Sequence, residues 1–378
     1  MFGKGVTLFR LLGFEVRVDL SWLVLAALIT WSLAVGVFPY YNQGLAPATY
    51  WWMGVIGAAG MFFSILFHEF CHSLVARRFG LTMRGITLFI FGGVAEMEDE
   101  PPSPKAEFFM AVAGPLSSVV LGLAFYAAAR LTEGAAAVVP VQAVLEYLAM
   151  INWVLAAFNL IPAFPLDGGR VLRAALWQRK KNLRGATRIA SRIGSGFGLF
   201  LIFVGVANFL LGNIIGGIWQ FMIGMFLRSA AESSYRQVVY RKALEGETVE
   251  RFMNPLPVTV PPSISIRELV EAYIYRHYFK MFPVLDEDKL LGCITTRQVK
   301  EIPREEWDRW TVGDRLDRCG DNNTIGPGAG AMQALSLMGK TGNSRLMVVK
   351  DGLLVGIVSL KDIMGYLSTK MELGDEKE

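Results

Sequence analysis

The sequence predicts a polytopic α-helical membrane domain, with about six transmembrane helices and short membrane-associated β strands, followed by a soluble α+β domain built as a tandem repeat. Three observations predict it. Of the 378 residues, 53% are apolar and only 19% charged, a balance foreign to ordinary soluble domains. Asp, Glu, Lys and Arg are absent from residues 20–67, 108–129 and 193–227 and become frequent beyond Arg228. The segments beginning at Val284 and Val348 repeat one another: each reaches a glycine eight residues on, Gly292 and Gly356, then Thr295 or Ser359 three residues later and Val299 or Ile363 four beyond that.

Taken in order, the chain opens with Val6, Leu8, Phe14, Val16 and Val18 alternating with other residues around Leu12 and Gly13. This pattern predicts two short strands against the membrane face. A spanning helix needs about 20 apolar residues, which residues 20–38, 50–75, 108–129 and 138–161 supply. The stretch 85–98, GITLFIFGGVAEME, reads as β, with Ile86, Leu88 and Ile90 on one face and Gly92-Gly93 as a bend. The uncharged run 193–227 would exceed 50 Å as one helix at about 1.5 Å per residue, against a hydrocarbon core of about 30 Å. The Gly212, Gly216 and Gly217 cluster is therefore expected to turn it back, giving spans five and six.

Basic residues orient the spans. Arg77, Arg78 and Arg84 follow the second, a dense set from Arg170 to Arg184 follows the fourth, and Arg228, Arg236, Arg241 and Lys242 follow the sixth, whereas residues 39–49 contain neither Lys nor Arg. The positive-inside rule then places both termini and the soluble domain in the cytoplasm, and an even span number, which puts both termini on one side, agrees. The net charge of +4 is explained by these loops, so nucleic acid is not an expected partner; the lipid bilayer is. Cys71, Cys293 and Cys319 have no paired spacing, which argues against a disulfide framework or a Cys-type zinc site. The N-terminus contains acidic residues and no small-residue cleavage signature, so the first apolar run is read as a retained span.

Late in span two stands His68-Glu69-Phe70-Cys71-His72, an H-E-x-x-H motif. On a helix, positions four apart lie about 40° from one another, so both imidazoles can reach one Zn²⁺ with Glu69 beside the water that such a metal activates. Two histidines four apart can arise by chance, but His68 lies nine residues before Arg77, about 13 Å along a helix. Ionisable groups at that depth are costly and read as functional. A catalytic zinc takes three protein ligands and keeps one open position. The only other histidine, His277, lies in the soluble region and is read as a helix-end residue. Cys71 cannot readily share one tetrahedral centre with His68 and His72 on a single helix and is read as packing. Among carboxylates, Glu15, Asp19, Glu96, Glu98, Asp99, Glu100 and Glu107 group at the aqueous margin, where solvation is the default, and Glu146 lies towards the opposite side. Asp167 remains. It ends span four in NLIPAFPLDGGR, where Pro162 and Pro165 break the helix and Gly168-Gly169 permit close approach before a new helix near Val171.

Through HEFCH at 68–72 and the N-x-x-P-x-x-P-L-D-G-G-R run at 159–170, with Gly114-Pro115 and the bend at Gly92-Gly93, residues 1–232 resemble the site-2 protease family of intramembrane zinc metalloproteases (peptidase M50-like). The resemblance implies one Zn²⁺ held by His68, His72 and Asp167, with Glu69 as general base and Asn159 polarising or positioning the scissile carbonyl. It also implies hydrolysis of peptide bonds within or next to transmembrane helices of membrane-tethered regulatory proteins, in the cell membrane.

After a linker at 233–247, residues 248–302 and 311–368 each read as helix, strand, turn, strand and helix. The pair resembles tandem cystathionine-β-synthase (CBS) domains, which implies homodimerisation and binding of an adenine nucleotide, ATP, ADP or AMP. The family's G-x-x-[ST]-x-x-D pattern is met by Gly356, Ser359 and Asp362, so the resemblance puts Asp362 on a ribose and Ser359 or Lys361 on a phosphate; in the first repeat Gln298 replaces the acid. Competing readings are a CBS-regulated membrane transporter, which predicts charges along several spans and symmetry between membrane halves, and a catalytically inactive membrane scaffold, which the intact His68, Glu69, His72 and Asp167 set opposes.

Overall fold

The computed structural model describes residues 6–11, 13–81, 83–89, 92–97, 100–132 and 139–373. Ile90, Glu98, Asp99, Val138 and the last five residues of the acidic tail lie outside them, and so do the readings attached to them. The chain divides into two compact units, Met1–Val238 and Val239–Glu378.

The first unit begins with β1 (Val6–Leu11) and β2 (Phe14–Val18), the hairpin expected around Gly13. The region expected as one β stretch with a bend forms β3 (Met83–Phe89) and β4 (Gly92–Met97). The four strands make one sheet in the order β1-β2-β3-β4, with β2 and β3 parallel and the other pairs antiparallel. Val18, Ile86 and Leu88 pack its inner face onto Trp22, Ile65, Leu66 and Phe70 of the helices. The sheet thus lies against the helix that carries the histidines.

Among the described residues, six helices are long and apolar enough to cross a membrane. The first begins as α1 (Leu20–Ser32), capped by Asp19 accepting from the Ser21 amide, and continues through a π-helical stretch (Leu33–Val37) into α2 (Phe38–Tyr41). Next come α3 (Pro47–Arg78) and α4 (Pro104–Leu131), each with proline in the first turn, where the missing N–H costs nothing. Then follow α5 (Val139–Asn159), the short α6 (Asp167–Lys180), α7 (Leu183–Leu210) and α8 (Ile214–Leu244). The turn between α7 and α8 contains Gly212 at φ +91°, a conformation that suits glycine. The 233–247 segment is largely helical because α8 runs on to Leu244. Leu33 and Phe38 of the first span and Met53, Met61 and Phe62 of α3 pack with Val144 and Leu148, joining these two spans to α5. Much of the remaining outer surface is apolar, including Leu23, Leu123, Phe200 and Phe203, as a hydrocarbon solvent requires.

Two side chains depart from expectation. Glu107, assigned to the aqueous margin, is fully buried. Arg173, one of the orienting charges, is 3% exposed, and its Nε donates to Glu107 Oε1 at 2.5 Å. A charge cannot be withdrawn from water without a partner, and each of these supplies the other's.

In the second unit, α9 (Ile266–Glu268) passes through a π-helical stretch into α10 (Tyr275–His277), so His277 does end a helix. The sheet of the first repeat holds β5 (Met281–Asp286), β6 (Lys289–Thr295) and, beyond α11 (Thr296–Lys300) and α12 (Val312–Arg315), β7 (Asp317–Arg318). That of the second holds β8 (Thr324–Ile325), β9 (Arg345–Lys350) and β10 (Leu353–Ser359), with α13 (Ala331–Thr341) and α14 (Leu360–Glu372). The chain enters through the second repeat: Leu244, Val249 and Phe252 share a core with Val348, Val358 and Ile363. It then returns to the first, where Val260 bridges Val284.

Candidate metal centre and active site

Helix α3 places His68 and His72 one turn apart, and their Nε2 atoms converge to 3.1 Å. The chain reaches them again 95 residues after His72, where α6 starts. Asp167 itself is the first residue of that helix, which begins four residues earlier than expected near Val171. Gly168 and Gly169 press against the backbone of Leu160, Ala163 and Phe164, so a Cβ at either would displace the turn that carries Asp167. Asp167 Oδ2 lies 3.1 Å from both His68 Nε2 and His72 Nε2.

The opposite ring nitrogens are held from α4. His72 Nδ1 donates to the Met110 carbonyl at 2.6 Å, which fixes its tautomer and turns the Nε2 lone pair inward. His68 Nδ1 lies 2.9 Å from Ser118 Oγ. Between these two anchors Gly114 faces the imidazoles, and a Cβ there would overlap His72 Nε2, His72 Cε1 and His68 Nε2. The motif alone points to none of these three residues. A carbonyl has no sequence signature, a serine in an apolar helix is unremarked, and Gly114 was visible only as part of a familiar Gly-Pro pair.

These donors fit zinc. A tetrahedral ion with bonds of about 2.05 Å separates its ligands by about 3.3 Å, close to the three 3.1 Å separations found. Two imidazoles and one carboxylate on one side are a catalytic rather than a closed structural set. Among the described residues, His68, His72 and Asp167 form the one group of His, Cys, Asp and Glu whose ligand atoms converge in this way; Cys71 is half-buried and outside it.

The triad opens on a cavity of 710 Å³ whose walls include Trp22, Met61, Leu88, Phe158 and Phe226. Glu69 and Asn159 also line it. Asn159 is the last residue of α5, half-buried, with no side-chain hydrogen bond among the described residues. Gly93 brings β4 against Glu69.

In the second unit, the Ser359 side chain accepts from the Asp362 amide, while the Asp362 carboxylate accepts from the Ser359 amide at 3.1 Å and hydroxyl at 2.6 Å. This capping box starts α14. Thr295 and Gln298 build the same box in the first repeat, so glutamine serves the local role of the acid there. Lys361 is exposed. A cavity of 370 Å³ in the second repeat is lined by Asp321, Thr324, Gln333 and Lys340 among others, and none of Ser359, Lys361 and Asp362 reaches it.

The model of peptidase family M50 matches residues 56–134 and 130–203, and the CBS domain model matches residues 249–305 and 321–369. Rip3 of Mycobacterium tuberculosis is 34% identical over 361 residues, 95% of this chain and 92% of that protein. Zinc metalloprotease MJ0392 of Methanocaldococcus jannaschii is 32% identical over 318 residues, 83% of this chain and 86% of that one. Among solved structures, the site-2 protease from Methanocaldococcus jannaschii aligns with a TM-score of 0.43 at 28% identity, covering 61% of this chain and 94% of that chain. With the sequence similarity running through both units, the chain belongs to peptidase family M50: it is a multi-pass membrane zinc metalloprotease of the site-2 protease type, carrying a C-terminal CBS pair.

Proposed function

We propose that this protease hydrolyses peptide bonds within or beside the transmembrane helices of membrane-tethered regulatory proteins, with His68, His72 and Asp167 as its zinc ligands. The observation that carries the reading is the triangle of donor atoms with 3.1 Å sides at the wall of an apolar cavity large enough for an unwound peptide segment. Zinc, when bound there, supplies Lewis acidity and lowers the pKa of water. Glu69 accepts the proton of the attacking water and returns it to the departing amine. Asn159 donates through its amide nitrogen to the carbonyl oxygen as negative charge develops on it. A transmembrane helix must unwind before attack, and its freed backbone groups need partners in a place poor in water. β4, at the edge of the sheet and beside Glu69, offers them by strand addition.

The protease domain is assigned to 1–232 and the CBS domains to 248–302 and 311–368. The loop charges support cytoplasmic termini. The CBS pair is read as a homodimerising module that binds an adenine nucleotide and adjusts cleavage, Asp362 leaving its cap for the ribose and Ser359 or Lys361 meeting a phosphate. Full-length Asp362→Ala is expected to lose nucleotide binding in calorimetry while keeping its zinc.

The deciding experiment is cleavage of a single-span substrate by purified wild type and Glu69→Gln, with zinc measured on both. Wild type cuts, and Glu69→Gln holds zinc without cutting. Absence of zinc from both proteins would overturn the assignment of the ligands.

A further inference from the structure

We infer that Arg173 and Glu107 are positioning residues for the metal centre: their buried ion pair sets the register of α6 on α4 and so holds Asp167 within reach of both histidines. The inference rests on the reading of Asp167 as the third ligand.

Arg173 touches both sides of the contact between α6 and α4. Its Nε donates to Glu107 in the first turns of α4 at 2.5 Å, and its Nη2 donates to Glu100, just before that helix, at 3.1 Å. Its guanidinium stacks over the Phe164 ring, 5.0 Å from the centroid, in the turn that leads to Asp167. Glu107 Oε2 is buried without a hydrogen-bond partner, so Arg173 alone orients that carboxylate among the described residues.

The spacing turns these contacts into alignment. Arg173 is six residues from Asp167, about 9 Å along α6, and Glu107 is seven from Gly114, about 10 Å along α4. At about 100° per residue, Glu107, Gly114 and Ser118 fall within about 40° of one another on α4. One stripe of α4 therefore meets Arg173 at one end and the imidazoles at the other, while α6 presents Arg173 and Asp167 to the same two places. Sliding α6 by an ångström along α4 would carry Asp167 off the histidines, and the pair has to be broken before that slide can occur.

Stability alone is a poor account of the pair. Replacing a buried ion pair by apolar side chains of similar volume is often neutral or stabilising, because the desolvation of two charges offsets their attraction. What apolar packing lacks is the planar, directional fork that Arg173 applies to Glu107 and Glu100.

The test measures zinc retention in a chelator series, together with thermal unfolding, on the full chain in detergent. The variants are Arg173→Met, Arg173→Met with Glu107→Leu, Arg173→Lys and Asp167→Asn. The double variant is expected to unfold at the wild-type temperature yet surrender zinc at about tenfold lower chelator, the size of effect seen for supporting contacts around metal ligands. Arg173→Met alone leaves Glu107 unpaired and should lose both zinc and stability. Arg173→Lys keeps the charge without the fork; it covers the case in which the methionine variants do not fold, and should surrender zinc at about threefold lower chelator. Wild-type retention by the double variant or by Arg173→Lys, or zinc loss that merely tracks the unfolding temperature across the set, would overturn the inference. Asp167→Asn separates the two ideas: if it retains zinc as wild type does, the ligand assignment falls and this inference with it, whereas its loss of zinc beside a fully loaded double variant sinks only the positioning role.

Discussion

Ser118 Oγ lies 2.9 Å from Nδ1 of His68, joining two helices across 50 residues of sequence. The serine gives no ligand to the proposed zinc, yet it fixes the ring that does. Ser118→Ala is expected to fold normally and to weaken zinc binding by about 10–100-fold, the usual cost of removing such a partner. Competition with a chromophoric chelator measures it, and wild-type affinity would mean that packing alone orients His68.

Gly114 offers a prediction whose sign is opposite to the generic one. Alanine in place of glycine inside a helix ordinarily gains about 0.5–1 kcal/mol. Here the added methyl would occupy the space of His72 Nε2 and His68 Nε2. Gly114→Ala should lower the zinc content per chain without lowering helicity by circular dichroism.

The cysteines of the second unit should differ in reactivity. Cys293 is buried, and that burial, reinforced by Asp317, pushes its thiol up to about 12. At pH 8 only about one molecule in ten thousand would carry the thiolate. Cys319 is exposed. Brief alkylation followed by peptide mass spectrometry should mark Cys319 and spare Cys293 until the unit is unfolded.

Glu247 provides a pH signature. The Tyr366 hydroxyl, donating at 2.8 Å, and then Arg251 hold its carboxyl below the ordinary range. A depressed carboxylate stabilises the fold above that range, and the contribution disappears as pH falls through it. Tyr366→Phe should therefore melt earlier than wild type at pH 7, and the gap should narrow as the pH drops below about 4.

How much of this was legible in the sequence follows from the range of each interaction. The spans could be read because hydrocarbon imposes a local rule, freedom from charge over some twenty residues, and the turn at Gly212 because a helix longer than the bilayer has to reverse. The tandem repeat was visible through its spaced glycines, and His68, Glu69 and His72 through helical periodicity. The start of α6 at Asp167 was misplaced because Gly168 and Gly169 look like a loop until their close contacts with Leu160 and Phe164 are known. Glu107 was misread, and its pairing with Arg173 went unseen, for a related reason. Each resembles an ordinary loop-margin charge, and 66 residues separate them; nothing local announces that they meet in the interior.

The stripe of α4 that carries Glu107, Met110, Gly114 and Ser118 has a bearing on any attempt to rebuild this centre elsewhere. A graft into a new scaffold that copied only the two signature segments would bring the ligands without the jig that holds them. The portable unit is three helices, and the one without a ligand dictates the tolerances: a flat spot for two rings, an acceptor and a hydroxyl at set heights, and an anchor two turns below.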